Sequence, residues 1–258
     1  MLQWKLFAVD LARKSGALLK EKFNQKHEIH YKGEINLVTE ADKMSEDLII
    51  TAISRSFPDH GILSEESPVI NGAGKLRWII DPLDGTTNYA HGYPVFCVSI
   101  ALEKEGEVIL GVVNDPMREE MFVAVRGEGS YLNDKKLAVS SLNDISRSLL
   151  ATGFPYDIRD SKENNLDYFN NMAVNVQAIR RAGAAALDLA YLAAGRFDGF
   201  WELKLKPWDT AAGCLLVTEA GGVISDIAGG KWHLQSPSLL ASNGLIHEQM
   251  IKVLSSKS

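Results

Sequence analysis

Trp78-Ile79-Ile80-Asp81-Pro82-Leu83-Asp84-Gly85-Thr86-Thr87-Asn88 is an apolar run that ends in two aspartates, a glycine and two hydroxyl residues. Consecutive bulky apolar residues suit a strand covered on both faces. Pro82 and Gly85 punctuate it, so the Asp81 and Asp84 carboxylates are expected at a strand end, facing a cleft. Carboxylate oxygens are what Mg²⁺ prefers, with several waters retained. The amides of Gly85 and Thr86 would open a short helix or nest of the kind that receives a phosphate. Asp-Pro and Asp-Gly also make ordinary turns, and on this stretch alone both readings stay open.

Working outward, Ile62-Leu63 is a second short β run, followed by the acidic pair Glu65-Glu66, and Asn71-Gly72-Ala73-Gly74 forms a turn. A helix is expected from about Asp42 to Phe57, headed by Thr39-x-x-Asp42 in a capping-box pattern. Before it lie an extended piece from Glu28 to Tyr31 and an amphipathic helix marked by Trp4, Phe7, Leu11 and Leu18. On the other side, Val95–Leu102, Val108–Asn114 and Met121–Val125 read as a meander, with turns at Gly127-Glu128-Gly129 and Asn133-Asp134.

From about residue 140 the pattern alternates. Strands are expected at Leu149–Thr152, Ala178–Arg180, Phe197–Glu202, Val223–Ser225 and Leu239–Ser242. Helices are expected at Lys162–Val174, Ala185–Ala194, Trp208–Ala220 and Leu245–Leu254. The fold class is an α/β (α+β) layered sandwich, with helices covering sheets. Residues 1–140 form an N-terminal α+β half and residues 141–258 a C-terminal α/β half, packed as one compact unit. A further acid, Asp209 in Pro207-Trp208-Asp209-Thr210-Ala211-Ala212-Gly213, stands in the first turn of a helix. It reads equally as a cap and as a metal ligand.

These residues resemble the inositol monophosphatase family. The resemblance rests on W-I-I-D-P-L-D-G-T-T-N, on E-E-S at Glu65, and on P-W-D-T-A-A-G followed by Glu219-Ala220-Gly221-Gly222. It runs from Asn36-Leu37-Val38-Thr39-Glu40-Ala41-Asp42 to Ala241-Ser242-Asn243. Asp115-Pro116-Met117-Arg118, Ala151-Thr152-Gly153-Phe154-Pro155 and Leu187-Asp188-Leu189-Ala190 point to the bacterial branch. It implies the layered fold shared with fructose-1,6-bisphosphatases and two or three Mg²⁺ per site. Glu65, Asp81 and the Leu83 carbonyl would hold the first ion, and Asp81, Asp84 and Asp209 the second, with Glu65 helping to place a third. Thr86, oriented by Asp42, would activate the attacking water together with Glu65. Asp84 and the amides of Gly85 and Thr86 would face the phosphate, Gly183-Ala184-Ala185 the substrate ring, and Glu202 a substrate hydroxyl. The implied activity is hydrolysis of inositol 1-phosphate, with Li⁺ inhibition and a homodimer. Fructose 1,6-bisphosphate, histidinol phosphate and 3′-phosphoadenosine 5′-phosphate are alternative substrates. A bisphosphate would need a second anion grip, for which Arg180, Arg181, Lys204 and Lys206 are the candidates. Bacterial relatives also suggest a protein partner in the transcription machinery. Ala184 replaces the Ser or Thr frequent in relatives, Leu83 replaces Ile, and Ser64 replaces Gly, a change expected to be tolerated.

Composition sets bounds on these expectations. The chain has 258 residues, 46% hydrophobic and 23% charged, with a net charge of -6. An acidic surface opposes direct nucleic-acid binding, which needs concentrated positive charge. No apolar run is long enough for a membrane span. Lys5, Asp10, Arg13, Lys14 and Lys20 interrupt the first twenty residues, so no signal core exists there. Cys97 and Cys214 lie far apart and read as buried thiols, and the chain reads as cytoplasmic. His27-Glu28-Ile29-His30 lacks a third ligand and reads as a solvated segment rather than a zinc site.

Overall fold

The protein is described by a computed structural model covering residues 1–23, 29–31 and 37–256. Asn36, Glu28 and His27 therefore lie outside the described residues, as do the side chains of Ile29 and His30.

Along the chain, α1 (Leu2–Lys22) leads to the paired β1 (Ile29–Tyr31) and β2 (Leu37–Thr39), then α2 (Glu40–Ser56). There follow β3 (Gly61–Ser64), β4 (Leu76–Asp84), α3 (Thr86–Ala90), β5 (Cys97–Lys104), β6 (Glu107–Asp115), β7 (Glu120–Val125), β8 (Gly129–Leu132) and β9 (Lys135–Lys136). β3 to β9 form a seven-stranded sheet in sequence order, antiparallel except for the β3–β4 pair. The second half contains β10 (Leu149–Thr152), α4 (Leu166–Ala173), β11 (Ala178–Arg180), α5 (Ala185–Ala193), β12 (Gly199–Leu203), α6 (Pro207–Glu219), β13 (Val223–Ser225), β14 (Ser238–Ser242) and α7 (His247–Leu254). Its sheet runs in the order β11-β10-β12-β14-β13.

Side-chain alternation fixes the layers. Trp78, Ile80, Val98, Ile100 and Leu102 face α1 and α2, whereas Ile79, Cys97, Ala101 and Val113 face α5 and α6. In the second sheet Ala151, Phe200 and Ala241 face α5 and α6, while Leu150, Trp201 and Leu240 pack under α4 and α7. Successive residues of a strand point to opposite faces, so two covered faces require nearly continuous apolar runs. The order of layers is helices, seven-stranded sheet, α5 and α6, five-stranded sheet, helices. That is the layered sandwich expected from the sequence.

Three details differ from expectation. β4 is not confined to its apolar run: it continues through both aspartates. The turns expected at Gly127-Glu128-Gly129 and Asn133-Asp134 are present, but they carry the meander on through two unexpected strands, β8 and β9. α4 begins at Leu166 rather than Lys162, because Asn165 has φ +72° and a buried amide. That amide donates to Gly153 O at 2.6 Å and accepts from Trp201 Nε1 at 2.7 Å, pinning the chain before the helix can begin.

Candidate active site

Asp81 and Asp84 are three residues apart and would point to opposite faces of a regular strand. The ladder to β5 pairs Asp81 with Ser99 and Asp84 with Cys97, so three residues of β4 oppose two of β5. This extra residue turns both carboxylates to the face that carries α5 and α6. Gly85 then takes φ +96°, and a Cβ there would lie 2.9 Å from Val95 O. Only glycine fits this turn into α3.

Two further segments close on the pair. Asp84 Oδ2 accepts the Ala186 N–H at 2.8 Å, using a first-turn amide of α5 that has no partner within its helix. Asp209, in the first turn of α6, accepts the Lys206 N–H at 2.6 Å, so its helix-capping role holds. It also lines the cleft between the two halves of the chain. That cleft has two adjoining lobes of about 300 and 360 Å³, which share Asp84, Gly85, Thr86, Glu202 and Asp209. Glu65, Asp81 and Leu83 line one lobe; Arg181, Gly183, Ala184, Ala185 and Asp188 line the other. A wider groove of about 700 Å³ lies beside α4 and α7 and shares only Leu203 and Lys204 with the cleft.

The electrostatics follow from burial. Asp81 is 2% exposed. Burial first, then Glu65, Asp84 and Asp209, hold its proton affinity well above the ordinary carboxylate range. Burial raises Asp84 to about 6 against the opposing amides of α5. Burial also raises Asp209 to about 7, with Asp84 adding to it and the Lys206 amide and charge opposing it. Removing such groups from water disfavours their charged forms unless opposite charge compensates. Among the described residues, no group of three or more His, Cys, Asp or Glu side chains is gathered closely enough to hold a metal ion. Carboxylates are instead distributed round the cleft, with Leu83 beside them as the further candidate donor that the resemblance implies. That set suits a hard divalent cation which keeps its own waters.

Thr86 connects the aspartates to α2. Its hydroxyl lies 3.0 Å from Asp42 Oδ1 and 3.1 Å from Leu83 O, and it can donate to one of them at a time. Asp42 Oδ2 accepts the Thr39 N–H at 2.8 Å and the Thr39 hydroxyl at 2.5 Å, completing the expected capping box. Burial raises Asp42's proton affinity, and the hydrogen bonds from Thr39 and Thr86 oppose that shift.

The sequence profile of the inositol monophosphatase family matches residues 2–258. The chain belongs to this family. It is 41% identical over 249 residues to the inositol-1-monophosphatase of Mesorhizobium japonicum, covering 95% of this chain and 94% of that one. It is 42% identical over 247 residues to the Nus factor SuhB of Escherichia coli K12, covering 95% and 92%. Among solved structures, the inositol monophosphatase of Anabaena sp. PCC 7120 superposes with a TM-score of 0.90 at 40% identity, covering 98% and 95%. The extragenic suppressor protein suhB of Bartonella henselae gives 0.92 at 39%, covering 98% of both chains.

The family resemblance named Glu65, Asp81, Leu83, Asp84, Gly85, Thr86, Gly183, Ala184, Ala185, Glu202 and Asp209, and all of them line the cleft. Asp42 reaches it through Thr86. The basic residues divide. Arg181, Lys204 and Lys206 line the lobes. Arg180 does not: it is exposed at the end of β11, where its guanidinium donates to Ile179 O at 3.2 Å. Lys204 is held by Asp157 at 2.6 Å and Ser161 at 2.8 Å. Membership in inositol monophosphatases did not by itself disclose the part played by three other residues. Asn88 donates to Ala182 O at 2.8 Å and Val95 O at 2.7 Å, tying the aspartate motif to the Gly183 loop. Gly153 makes room for Glu202, whose carboxylate would clash with any Cβ there. Asp188, 2% exposed on α5, lines the same lobe as Gly183, Ala184 and Ala185. Its signal was a single carboxylate in the otherwise apolar Ala184–Ala194 stretch.

Proposed function

We propose that the chain is a Mg²⁺-dependent phosphomonoesterase, with inositol 1-phosphate as its leading substrate. The observation that carries this reading is Asp81, buried beside Glu65, Asp84 and Asp209 with mutual repulsion that a cation would relieve. Glu65, Asp81 and the Leu83 carbonyl would hold one ion, Asp81, Asp84 and Asp209 another, with Glu65 also near a weaker third. When bound, Mg²⁺ acidifies water and neutralises charge on the attacking and leaving oxygens of an in-line displacement.

The chain's own residues do the rest. Asp42, locked by Thr39, accepts the Thr86 proton and leaves the lone pairs of Thr86 free to receive one from the attacking water. Glu65 shares the orientation of that water. Gly85 and Thr86 present their amides to the phosphate, Gly183, Ala184 and Ala185 border the ring, and Glu202 takes a substrate hydroxyl. No covalent phospho-enzyme is required, so phosphorus inverts once.

Side-by-side phosphate release from inositol 1-phosphate and fructose 1,6-bisphosphate tests substrate choice. Preference for the inositol ester is expected; equal turnover of the bisphosphate would bring in Arg181, Lys204 and Lys206 as its second anion grip.

The relatives named as Nus factors favour a second reading, binding to a protein of the transcription machinery. An Asp81→Asn variant separates the two roles: loss of catalysis with normal support of the cell would favour interaction. A homodimer, lithium inhibition and a cytoplasmic location complete the proposal. Light scattering on the purified chain is expected to give twice the chain mass. Among the described residues no helix is long and apolar enough to cross a membrane.

A further inference from the structure

α2 presents three buried polar side chains one turn apart. Asp42, Ser45 and Glu46 are spaced i, i+3 and i+4, so they share one helix face. Each reaches a segment that carries a residue of the cleft. Asp42 holds Thr86. Ser45 donates to Pro82 O at 2.7 Å, inside the Asp81–Asp84 bulge, and receives the Ser15 hydroxyl at 2.5 Å. Glu46, 4% exposed, holds the loop after β3. Its Oε1 accepts the Ser64 hydroxyl and the Glu66 N–H at 3.2 Å, and its Oε2 accepts the Ser67 hydroxyl at 2.6 Å.

These three hydrogen bonds bracket Glu65. The parallel ladder to β4 ends at Ser64, so sheet pairing does not set the position of the next residue. We infer that Glu46 is a positioning residue that sets the place of Glu65 relative to the Asp81–Asp84 bulge, with α2 as the common support for both. Ser64 adds a tie peculiar to a serine at this position: the glycine expected from the family would leave Glu46 with two donors. The replacement does more than fit, because its hydroxyl ends on the carboxylate that holds the loop.

This inference rests on the metal-dependent reading and concerns how firmly the chain's donors are held. Residues that orient a metal ligand through a hydrogen bond typically change affinity about 10–100-fold when altered. A purely space-filling Glu46 would change stability and leave metal affinity alone.

Isothermal titration of Mg²⁺ into the full chain, after chelation and dialysis, tests it without any turnover. Glu46→Gln keeps the shape and is expected to weaken binding about 10–100-fold. Ser67→Ala, which removes only the outermost bond, is expected to weaken it by a smaller factor and keeps the test available if Glu46→Gln does not fold. In a Glu65→Gln background neither change should weaken binding further, because residues acting through one group are non-additive. Unaltered affinity in Glu46→Gln or Ser67→Ala, or additive losses in the double variants, would overturn the inference. A wild-type chain that binds no Mg²⁺ would instead overturn the metal-dependent reading.

Discussion

Asp81 is the residue at which stability and chemistry are most opposed. An ionised carboxylate with almost no water contact, beside three other acids, is strained by desolvation and repulsion together. Asn has the same shape without the charge. Asp81→Asn is therefore expected to unfold at an equal or higher temperature than wild type in chelator, while phosphate release falls at least about a hundredfold. A gain of 1 kcal/mol would appear as roughly 2–4 °C. Glu202 gives a pH test. Burial, and then Asp209, raise its proton affinity from the usual carboxylate value to about 8, against the opposing charge of Arg181. A group whose folded value is raised binds more protons folded than unfolded, so its contribution to stability is lost as pH rises. The window runs from about 4.5 to about 8. Across it, thermal melts in chelator should show wild type losing stability relative to Glu202→Gln. A constant difference between the two proteins would count against this charge environment. At this scale the sequence already showed the acids, because the family resemblance maps each onto a motif position. It could not show that Asp42 and Asp209 are caps that also reach the cleft, since a cap and a ligand have the same local spelling.

α6 determines where Asp209 stands, and its position depends on close backbone approach. α6 lies against β6 at Gly111, where an added Cβ would sit 2.8 Å from Ala212 O. Gly111→Val would force α6 away and carry Asp209 with it. The expected cost is about 1–3 kcal/mol of stability, from overpacking, and a drop in turnover larger than the stability loss explains. Urea unfolding and phosphate release on the same preparation check this; a destabilised variant with normal turnover would dissociate α6 packing from the site. The elements themselves were largely legible. β10, β11 and β13 fall where their apolar runs place them; α1 buries one stripe at helical spacing, whereas α5 and α6, covered on every side, show no such period. Two of the misses share a cause, long-range hydrogen bonding that no local pattern encodes. Asn165 stops α4 early through partners on β12 and after β10. The bulge that turns Asp84 to the face of Asp81 depends on register with β5, which lies beyond the motif's own residues.

At the scale of the molecule, one apolar cluster draws on both halves of the chain. Phe122 and Val113 from the first sheet and Phe200 and Ala241 from the second belong to the same cluster around α5 and α6. We propose that residues 1–140 and 141–258 unfold together. Calorimetry is expected to show one transition, moved upward by Mg²⁺ because a ligand that binds only the folded state stabilises it. Two separated transitions, with Mg²⁺ affecting only one, would argue for independent halves. The cleft takes Glu65, Asp81 and Thr86 from the first half and Glu202 and Asp209 from the second, so the proposed chemistry would need both. The most direct test of that chemistry is phosphate release from inositol 1-phosphate by chelator-stripped protein, before and after Mg²⁺ is restored. The expected result is no turnover in the stripped protein and full recovery with Mg²⁺; turnover that survives chelation unchanged would contradict a metal-dependent carboxylate site.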